Sequence, residues 1–325
     1  MTVRELAKLC DVSPSTVSKA FSGAKDVGEK TRQKIFENAK KNGCYTRFSK
    51  DKFGKKVYGI ICPETSSGYY SGYITELQKH ISESGALAVI SADDFDNKKQ
   101  KELIDYYLSY IKVDGLFIVH LRQPISNRED TPVVALLTSF ETTYDAINVD
   151  VYAPLKDAVL QLKKLGHEKI AFIGERLTMG RKKVFCAAAK LSYDDPLVFT
   201  SEERFQKAGE DGVQYFLKNN IKCTAFVCAY DEIAFGAIRE LQKHGFSVPD
   251  DFSVIGADNT ILSEYAQTPL STMGVDIKKI CALAWERMLK KQENRYYRNK
   301  DRVTFKSELI LRETVAPPKE KSTLD

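Results

Sequence analysis

The sequence predicts an α/β protein in which a small all-α module precedes a body of two doubly wound parallel-sheet units. Three observations carry that prediction. Residues 1–56 hold 14 Lys and Arg against 6 Asp and Glu, a balance of +8, whereas the other 269 residues hold 35 against 38, a balance of −3. The first 43 residues show helical spacing with cap residues in place. From Val57 onward, short apolar runs alternate with helical stretches, the pattern of parallel strands joined by crossover helices. A chain of 325 residues has room for such an arrangement and ample apolar content for its cores.

In chain order, "TVRELAKL" sets Val3, Leu6, Ala7 and then Cys10 at three- and four-residue spacings, an apolar helical stripe. Thr2 with Glu5 is a capping-box pair at its start. Ser13 before Pro14 reads as an N-cap followed by proline at the first helical position, and this second helix runs to about Phe21 with Val17, Ala20 and Phe21 inward. Two short helices so connected form a helix-turn-helix, whose second helix enters the major groove by its N-terminal turn. Ser15 and Lys19 face outward and are the candidate base readers, because lysine donates to guanine O6 and N7 and serine pairs with several bases. Ser13, Thr16 and Ser18, with the helix start at Pro14, are placed to meet phosphates. Serines at a helix start also serve as plain caps. A third helix fits "GEKTRQKIFENAKKNG", with Ile35, Phe36 and Ala39 inward and Gly43 as a left-handed stop. A polar, lysine-rich connection over residues 44–56 follows.

In the body, "VYGIICP", "ALAVISA", "DGLFIVH", "PVVALLT", "KIAFIGE", "TAFVCAY" and "FSVIGAD" are continuous apolar runs, as strands covered on both faces would be. "GYITELQKHISESG", "KQKELIDYYLSYIK", "APLKDAVLQLKKLG" and "DEIAFGAIRELQKHG" have helical spacing. So many strands in a single sheet would be unusual. "INVDVYAP", around Asp150, reads as a crossing between two units. Ligands of doubly wound sheets bind beyond the carboxyl ends of the strands, where this chain keeps its polar residues.

Other classes are disfavoured. No apolar run nears the roughly 18 residues that span a bilayer, and "MTVRELAKLC" has charges where a secretory signal is apolar, so a cytoplasmic location is expected. Seven cysteines, odd in number and without a Cys-x-x-Cys pair, argue against a disulfide framework or a zinc site. The four histidines at 80, 120, 167 and 244 are dispersed, and neither Gly-x-Gly-x-x-Gly, a phosphate loop nor Gly-x-Ser-x-Gly occurs. The expectation is a non-enzyme without cofactor or metal. His167 and His244, beside glycines, read as helix caps, and Trp285 as a core or dimer contact.

"VRELAKLCDVSPSTVSKAFSGAKDVGEKTRQKIFENAKKNG" closely resembles the DNA-binding headpiece of the lactose/galactose repressor family of bacterial transcription regulators, with its pattern "DVAKLAGVSxSTVSRxLNG". Asp11 stands where the family has a turn glycine; Asp tolerates left-handed geometry. "VDGLFIV", "LKKLGHEKIAFIG", "AYDEIAFGAIRELQKHGFSVPDDFSVIGADN", "TPLSTMGVD" and "LRETVAPP" extend the resemblance over nearly the whole chain. It implies a periplasmic-binding-protein-like core closing on a small effector. The expected organisation is a headpiece over 1–43, a hinge over 44–56, an effector-binding and dimerisation core over 57–315 crossing near 150 and 276, and a tail over 316–325. The family's hinge helix, "RPNxxARxL", pushes a leucine into the minor groove. That pattern is nearly absent here; Phe53 stands at the leucine's place and Asp51 at the arginine's. Phe53 is a competent wedge.

The resemblance also implies effector-binding roles for Tyr69 and Tyr70 as an aromatic pair, Arg181 as a grip on hydroxyls or carboxylate, and Asp231 and Asp258 as acids at strand ends. Asp231 equally suits a helix cap. Two departures stand out: sugar-binding members commonly have an acid at Leu137 and an asparagine at Tyr230. The implied function is a DNA-binding regulator, usually a repressor, acting as a homodimer on a near-palindromic operator under a small effector, with a carbohydrate first. Purines, other small metabolites or a partner protein remain alternatives, as does a sugar-type receptor without operator binding. No leucine heptads follow residue 315 to suggest a tetramerising tail.

Overall fold

The structure, a computed structural model, describes residues 1–22, 24, 26–48, 55–124, 131–138, 145–293 and 302–319. They form two compact units, one of Met1–Val57 with Ser82–Leu87, the other of Tyr58–Ile81 with the chain from Ala88 onward.

The first unit contains α1 (Val3–Cys10), α2 (Pro14–Phe21), α3 (Glu29–Lys41) and the single turn α4 (Tyr45–Phe48). The capping box forms: Thr2 N donates to Glu5 Oε2 at 2.6 Å, and Glu5 N to Thr2 Oγ1 at 3.3 Å. Asp11 ends α1 in the left-handed region at φ 56, so the turn tolerates its side chain. Leu6, Cys10, Val17, Ala20, Ile35 and Ala39 are fully buried together. Gly43 takes the left-handed stop at φ +63. The core runs past the expected limit at residue 43. Cys44 is buried, and the rings of Tyr45 and Phe48 lie 5.6 and 5.8 Å from Phe21. Two aromatic rings are worth more packed on Phe21 and Phe36 than left in solvent, so this part of the connection closes the module. Asp51 and Phe53 lie outside the described residues.

The body is built on two sheets. The first has six strands in the order β11-β5-β4-β3-β1-β2. These are β1 (Val57–Cys62), β2 (Leu87–Ala92), β3 (Gly115–Val119), β4 (Val133–Leu136), β5 (Asp145–Asp150) and β11 (Arg302–Lys306). The second has the order β7-β6-β8-β9, from β6 (Ile170–Glu175), β7 (Val198–Ser201), β8 (Ala225–Cys228) and β9 (Ser253–Ile255), all parallel. An antiparallel pair, β10 (Thr272–Gly274) with β12 (Glu308–Ile310), attaches through a bridge between Ile255 and Ser271. Every residue of β3, β4, β6 and β8 is buried, as their unbroken apolar runs require. β2 is not covered on both faces: it is an edge strand, and Leu87 and Val89 are exposed.

The helices are α5 (Gly68–Glu83), α6 (Asn97–Asp105) running into a π-helical stretch (Tyr106–Ile111), α7 (Ala153–Lys164), α8 (Met179–Ala189), α9 (Phe205–Lys218), α10 (Asp231–Lys243), α11 (Ile261–Tyr265) and α12 (Ile277–Glu293). Among the described residues no helix is long and apolar enough to cross a membrane. The stretch read as a crossing at 147–154 first supplies β5, an inner strand between β4 and β11. The chain passes between sheets there, again after β10, and a third time between β11, which pairs with β5, and β12, which pairs with β10. Trp285, on α12, packs its ring 5.1 Å from Tyr58 and 6.3 Å from Phe117.

His244 caps α10 as expected. His167 does not cap; it is buried, with Nδ1 2.8 Å from Thr224 Oγ1 and Nε2 2.9 Å from the carbonyl of Ala316. That contact ties the first residue of the expected tail into the fold.

Candidate nucleic-acid interface and effector cleft

Local chemistry positions α2. Ser13 is its N-cap, Oγ accepting from Thr16 N at 3.0 Å, and Pro14 opens the first turn. Ser13 Oγ also lies 2.7 Å from Ser15 Oγ and 2.8 Å from Thr16 Oγ1, so three hydroxyls are linked at the helix start. Ser15, Ser18 and Lys19 are exposed and Thr16 is half-buried. Sequence reasoning missed Asp26, which accepts a hydrogen bond from Lys19 Nζ. That bond holds the Asp26 carboxyl below its ordinary range. Arg32 Nη2 donates to the carbonyl of Ala24 at 2.7 Å and so holds the loop that carries Asp26. Seven residues separate Lys19 from Asp26, a spacing that no helix or strand makes adjacent.

Tyr69, Arg181 and Asp258 come together from α5, α8 and the loop after β9. With Val151, Val275 and Ser307, from the three crossings, they line an open cleft. Arg181 Nη2 donates to Asp258 Oδ1 at 2.7 Å, and Nη1 donates to the carbonyl of Ala229. Asp258 and Asn259 both take positive φ, 97° and 47°, a strained pair of the kind that collects at binding sites. Burial pushes the Tyr69 phenol up to about 12.

Tyr70 belongs to a neighbouring cluster. Its Oη lies 3.0 Å from His120 Nδ1, and its ring stacks on His120 and meets Phe95 edge-on at 5.9 Å. Burial, with Arg122 nearby, pushes His120 down to about 4, so the imidazole is neutral at pH 7.

The structure commits Asp231 elsewhere. It is fully buried, accepting from Thr260 N at 2.7 Å, Thr260 Oγ1 at 2.9 Å and Thr272 Oγ1 at 2.5 Å. It neither lines the cleft nor caps α10, whose N-cap is Tyr230. Burial, then the Asp258 charge, pushes its carboxyl up to about 7. A folded value above the unfolded one near 3.8 favours the fold at low pH, and that contribution is lost as pH rises from about 4 through about 7. Asp231→Asn should therefore be more stable than the parent at pH 8, an advantage that shrinks towards pH 5 in thermal melts. Its amide can still accept from Thr260 and donate to a reversed Thr272 hydroxyl. A parent advantage that widens above pH 7 would refute the assignment.

Of the two departures from sugar-binding members, Leu137 takes positive φ, and Tyr230 Oη accepts from Phe205 N at 3.0 Å. A further ion pair was not legible in sequence. Arg204 donates twice to Glu64, Nη1 to Oε2 at 2.8 Å and Nη2 to Oε1 at 2.9 Å, joining the end of β7 to the end of β1. Its guanidinium lies 4.5 Å from the Phe205 ring and 5.5 Å from Phe95. Nearby, Gly68 N donates to Glu232 Oε1 at 2.9 Å.

The model of a periplasmic binding protein-like domain matches residues 159–315. The HTH-type transcriptional regulator DegA of Bacillus subtilis is 28% identical, over 97% of this chain and 98% of its own length. Catabolite control protein A of Priestia megaterium is 27% identical, over 91% and 93%. Such coverage includes helix-turn-helix and cleft alike. Along nearly its whole length the chain is similar to regulators of the lactose/galactose repressor family. Solved members of that family share the fold: a lac repressor dimer bound to operator and an anti-inducer covers 97% of this chain and 99% of its own, with a TM-score of 0.69 at 22% identity. A LacI-family regulator from Silicibacter pomeroyi reaches 0.77 at 19% identity, with the same coverage. Aligned with transcription regulators over nearly its whole length, the chain is a DNA-binding transcription regulator.

Proposed function

We propose that this regulator is a cytoplasmic repressor that binds a near-palindromic operator as a homodimer, its affinity controlled by a carbohydrate in the cleft. The observation that carries the reading is α2, a capped helix with Ser15, Ser18 and Lys19 uncovered on a module of strongly basic balance. Ser15 and Lys19 read bases; Ser13, Pro14, Thr16 and Ser18 form the turn that meets phosphates; Phe53 wedges the minor groove. Support for the assembly comes from the lac repressor, solved as a dimer on operator, and from exposed Ile261, Leu262 and Tyr265 on α11, an apolar cluster that a second copy would cover. Support for the effector comes from a relative of known structure solved with bound ribose and another with cellobiose.

Tyr69, Tyr70, Arg181 and Asp258 are the effector residues in this reading, and Asp231 supports them by holding Thr260 and Thr272. Arg181 and Asp258 are spent on each other, so a sugar enters by replacing one charged partner with its hydroxyls. Such a ligand shifts operator affinity only by binding the two core states unequally. Selection of random duplex DNA on the full-length protein tests the whole reading. A two-fold symmetric site should be enriched, and lost or altered with Ser15→Ala, Lys19→Ala. Enrichment of no symmetric site, with and without added sugars, would refute it.

A further inference from the structure

We propose that the body latches its own cleft: contacts between residues of the two sheet units hold them closed without the help of an effector, and basal operator affinity is that of the latched core; this rests on the regulator reading above. Two contacts make the latch. Arg204, just after β7 in the second unit, donates Nη1 to Glu64 Oε2 at 2.8 Å and Nη2 to Glu64 Oε1 at 2.9 Å, and Glu64 follows β1 in the first. Glu232, in the first turn of α10, accepts from Gly68 N at 2.9 Å, and Gly68 opens α5. Both contacts lie where β1 ends on one side and β7 and β8 end on the other.

Each is more than a surface pair. A two-point bond between guanidinium and carboxylate is charge-assisted and fixes direction as well as distance. The Glu64 side chain is 11% exposed and that of Arg204 33%, so solvent screens the pair only in part. The guanidinium also lies 5.5 Å from the ring of Phe95, which follows β2, so it grips the first unit at two loops. At the second contact, the first helical bond of α5 runs from Ser71 N to Ser67 O, which leaves the amides of residues 68–70 without a partner in the helix. The Gly68 amide finds its acceptor in the other unit. The approach is close enough to demand glycine. A Cβ at this position would sit 2.9 Å from both Glu232 Oε1 and Thr260 Cγ2, and Thr260 is held through its amide and its hydroxyl on buried Asp231.

Glu64, Gly68, Arg204 and Glu232 stand outside the cleft lining, which includes Val151, Val275 and Ser307 from the three crossings. A ligand seated on that lining can leave both contacts intact. Tyr69, next to Gly68, does line the cleft, so the second contact also sets where that ring stands. The crossings thus act as the hinge and the two contacts as the clasp. A ligand that prefers the closed core meets it already populated, whereas one that prefers an open core must break both contacts.

Hydrogen exchange of the full-length protein, read by mass spectrometry with fragmentation to the first-turn amides of α5, compares the parent with Arg204→Met and Gly68→Ala. Methionine keeps an apolar stem against the aromatic rings and removes the donors; alanine wedges the second contact while favouring the helix. The two act from different loops, so a shared response is not a defect of either. After correction for intrinsic rates, exchange at residues 68–70 should quicken by about tenfold or more in both variants, with β8 unchanged. On a duplex selected by the parent, both should shift affinity in the same direction by about fivefold or more. Unchanged exchange at 68–70 in Arg204→Met, or acceleration spread equally over β8, which marks lost stability, would each overturn the latch. Equal operator affinities of all three proteins would overturn its control of binding. If no symmetric duplex is selected while exchange responds as expected, the regulator reading fails and the latch itself stands.

Discussion

Gly236→Ala should destabilise the body by more than about 3 kcal/mol, beyond the usual cost of overpacking a core. In most helices this change is favourable by up to about 1 kcal/mol, because alanine is the better helix former. Here α9 and α10 touch backbone to backbone. A Cβ on Gly236 would sit 1.9 Å from the carbonyl oxygen of Gln206 and 2.6 Å from its carbonyl carbon, and one on Gly209 would sit 2.0 Å from the carbonyl oxygen of Ile233. Main-chain atoms cannot rotate aside, so relief requires one helix to lift. α9 lies on β6 and β7 and α10 on β8 and β9, so lifting either uncovers buried strands, β6 under α9 and β8 and β9 under α10. A loss of this size should lower the melting temperature by about 6–12 °C or more. Gly28→Ser is the informative control. Gly28 is the N-cap of α3 at φ −62 with no atom within 4 Å of an added Cβ, so serine should be neutral or slightly stabilising. An unchanged melt for Gly236→Ala would mean that the two helices do not meet at that crossing.

What could be read in advance follows the range of the interactions. The headpiece was legible because its caps are local: Thr2 answers Glu5, and Ser13 answers Thr16, each three residues away. β1, β3, β4, β6, β8 and β9 were legible because buried parallel strands are unbroken apolar runs. The strands that escaped notice lack that mark. β7 ends in threonine and serine, β11 alternates at a sheet edge as "RVTFK", and β10 and β12 are three residues each. In the cleft, Arg181 and Asp258 were placed by resemblance and do meet. A carboxylate at a strand end carries no sign of where it turns, and the partners of Asp231 are 29 and 41 residues away. The partner of Glu64 is 140 residues away, which no spacing rule reaches.

Operator affinity of the Ser15→Ala, Lys19→Ala protein should fall by at least about 100-fold, since each base contact discriminates by about 1–3 kcal/mol and a dimer makes it twice. The parent's non-specific affinity should fall about 10³- to 10⁵-fold between 50 and 200 mM salt if six to ten phosphates are engaged. The salt slope then separates two roles for Lys19. A lysine on a phosphate releases a counterion, so Lys19→Ala would flatten the slope by about 1 per protomer and weaken all sequences alike. A lysine on a base edge leaves the slope nearly unchanged and costs only the preferred site. Because Lys19 is held by Asp26 in the free headpiece, Asp26→Asn adds a second arm. Both side chains are more than half exposed, so the pair is easily broken, and its removal leaves Lys19 free to find any phosphate. Non-specific binding should therefore rise with Asp26→Asn and the specificity ratio fall. If the ratio is unchanged while Lys19→Ala alone flattens the salt slope, Lys19 is a phosphate contact, and base reading must rest on Ser15 and its neighbours.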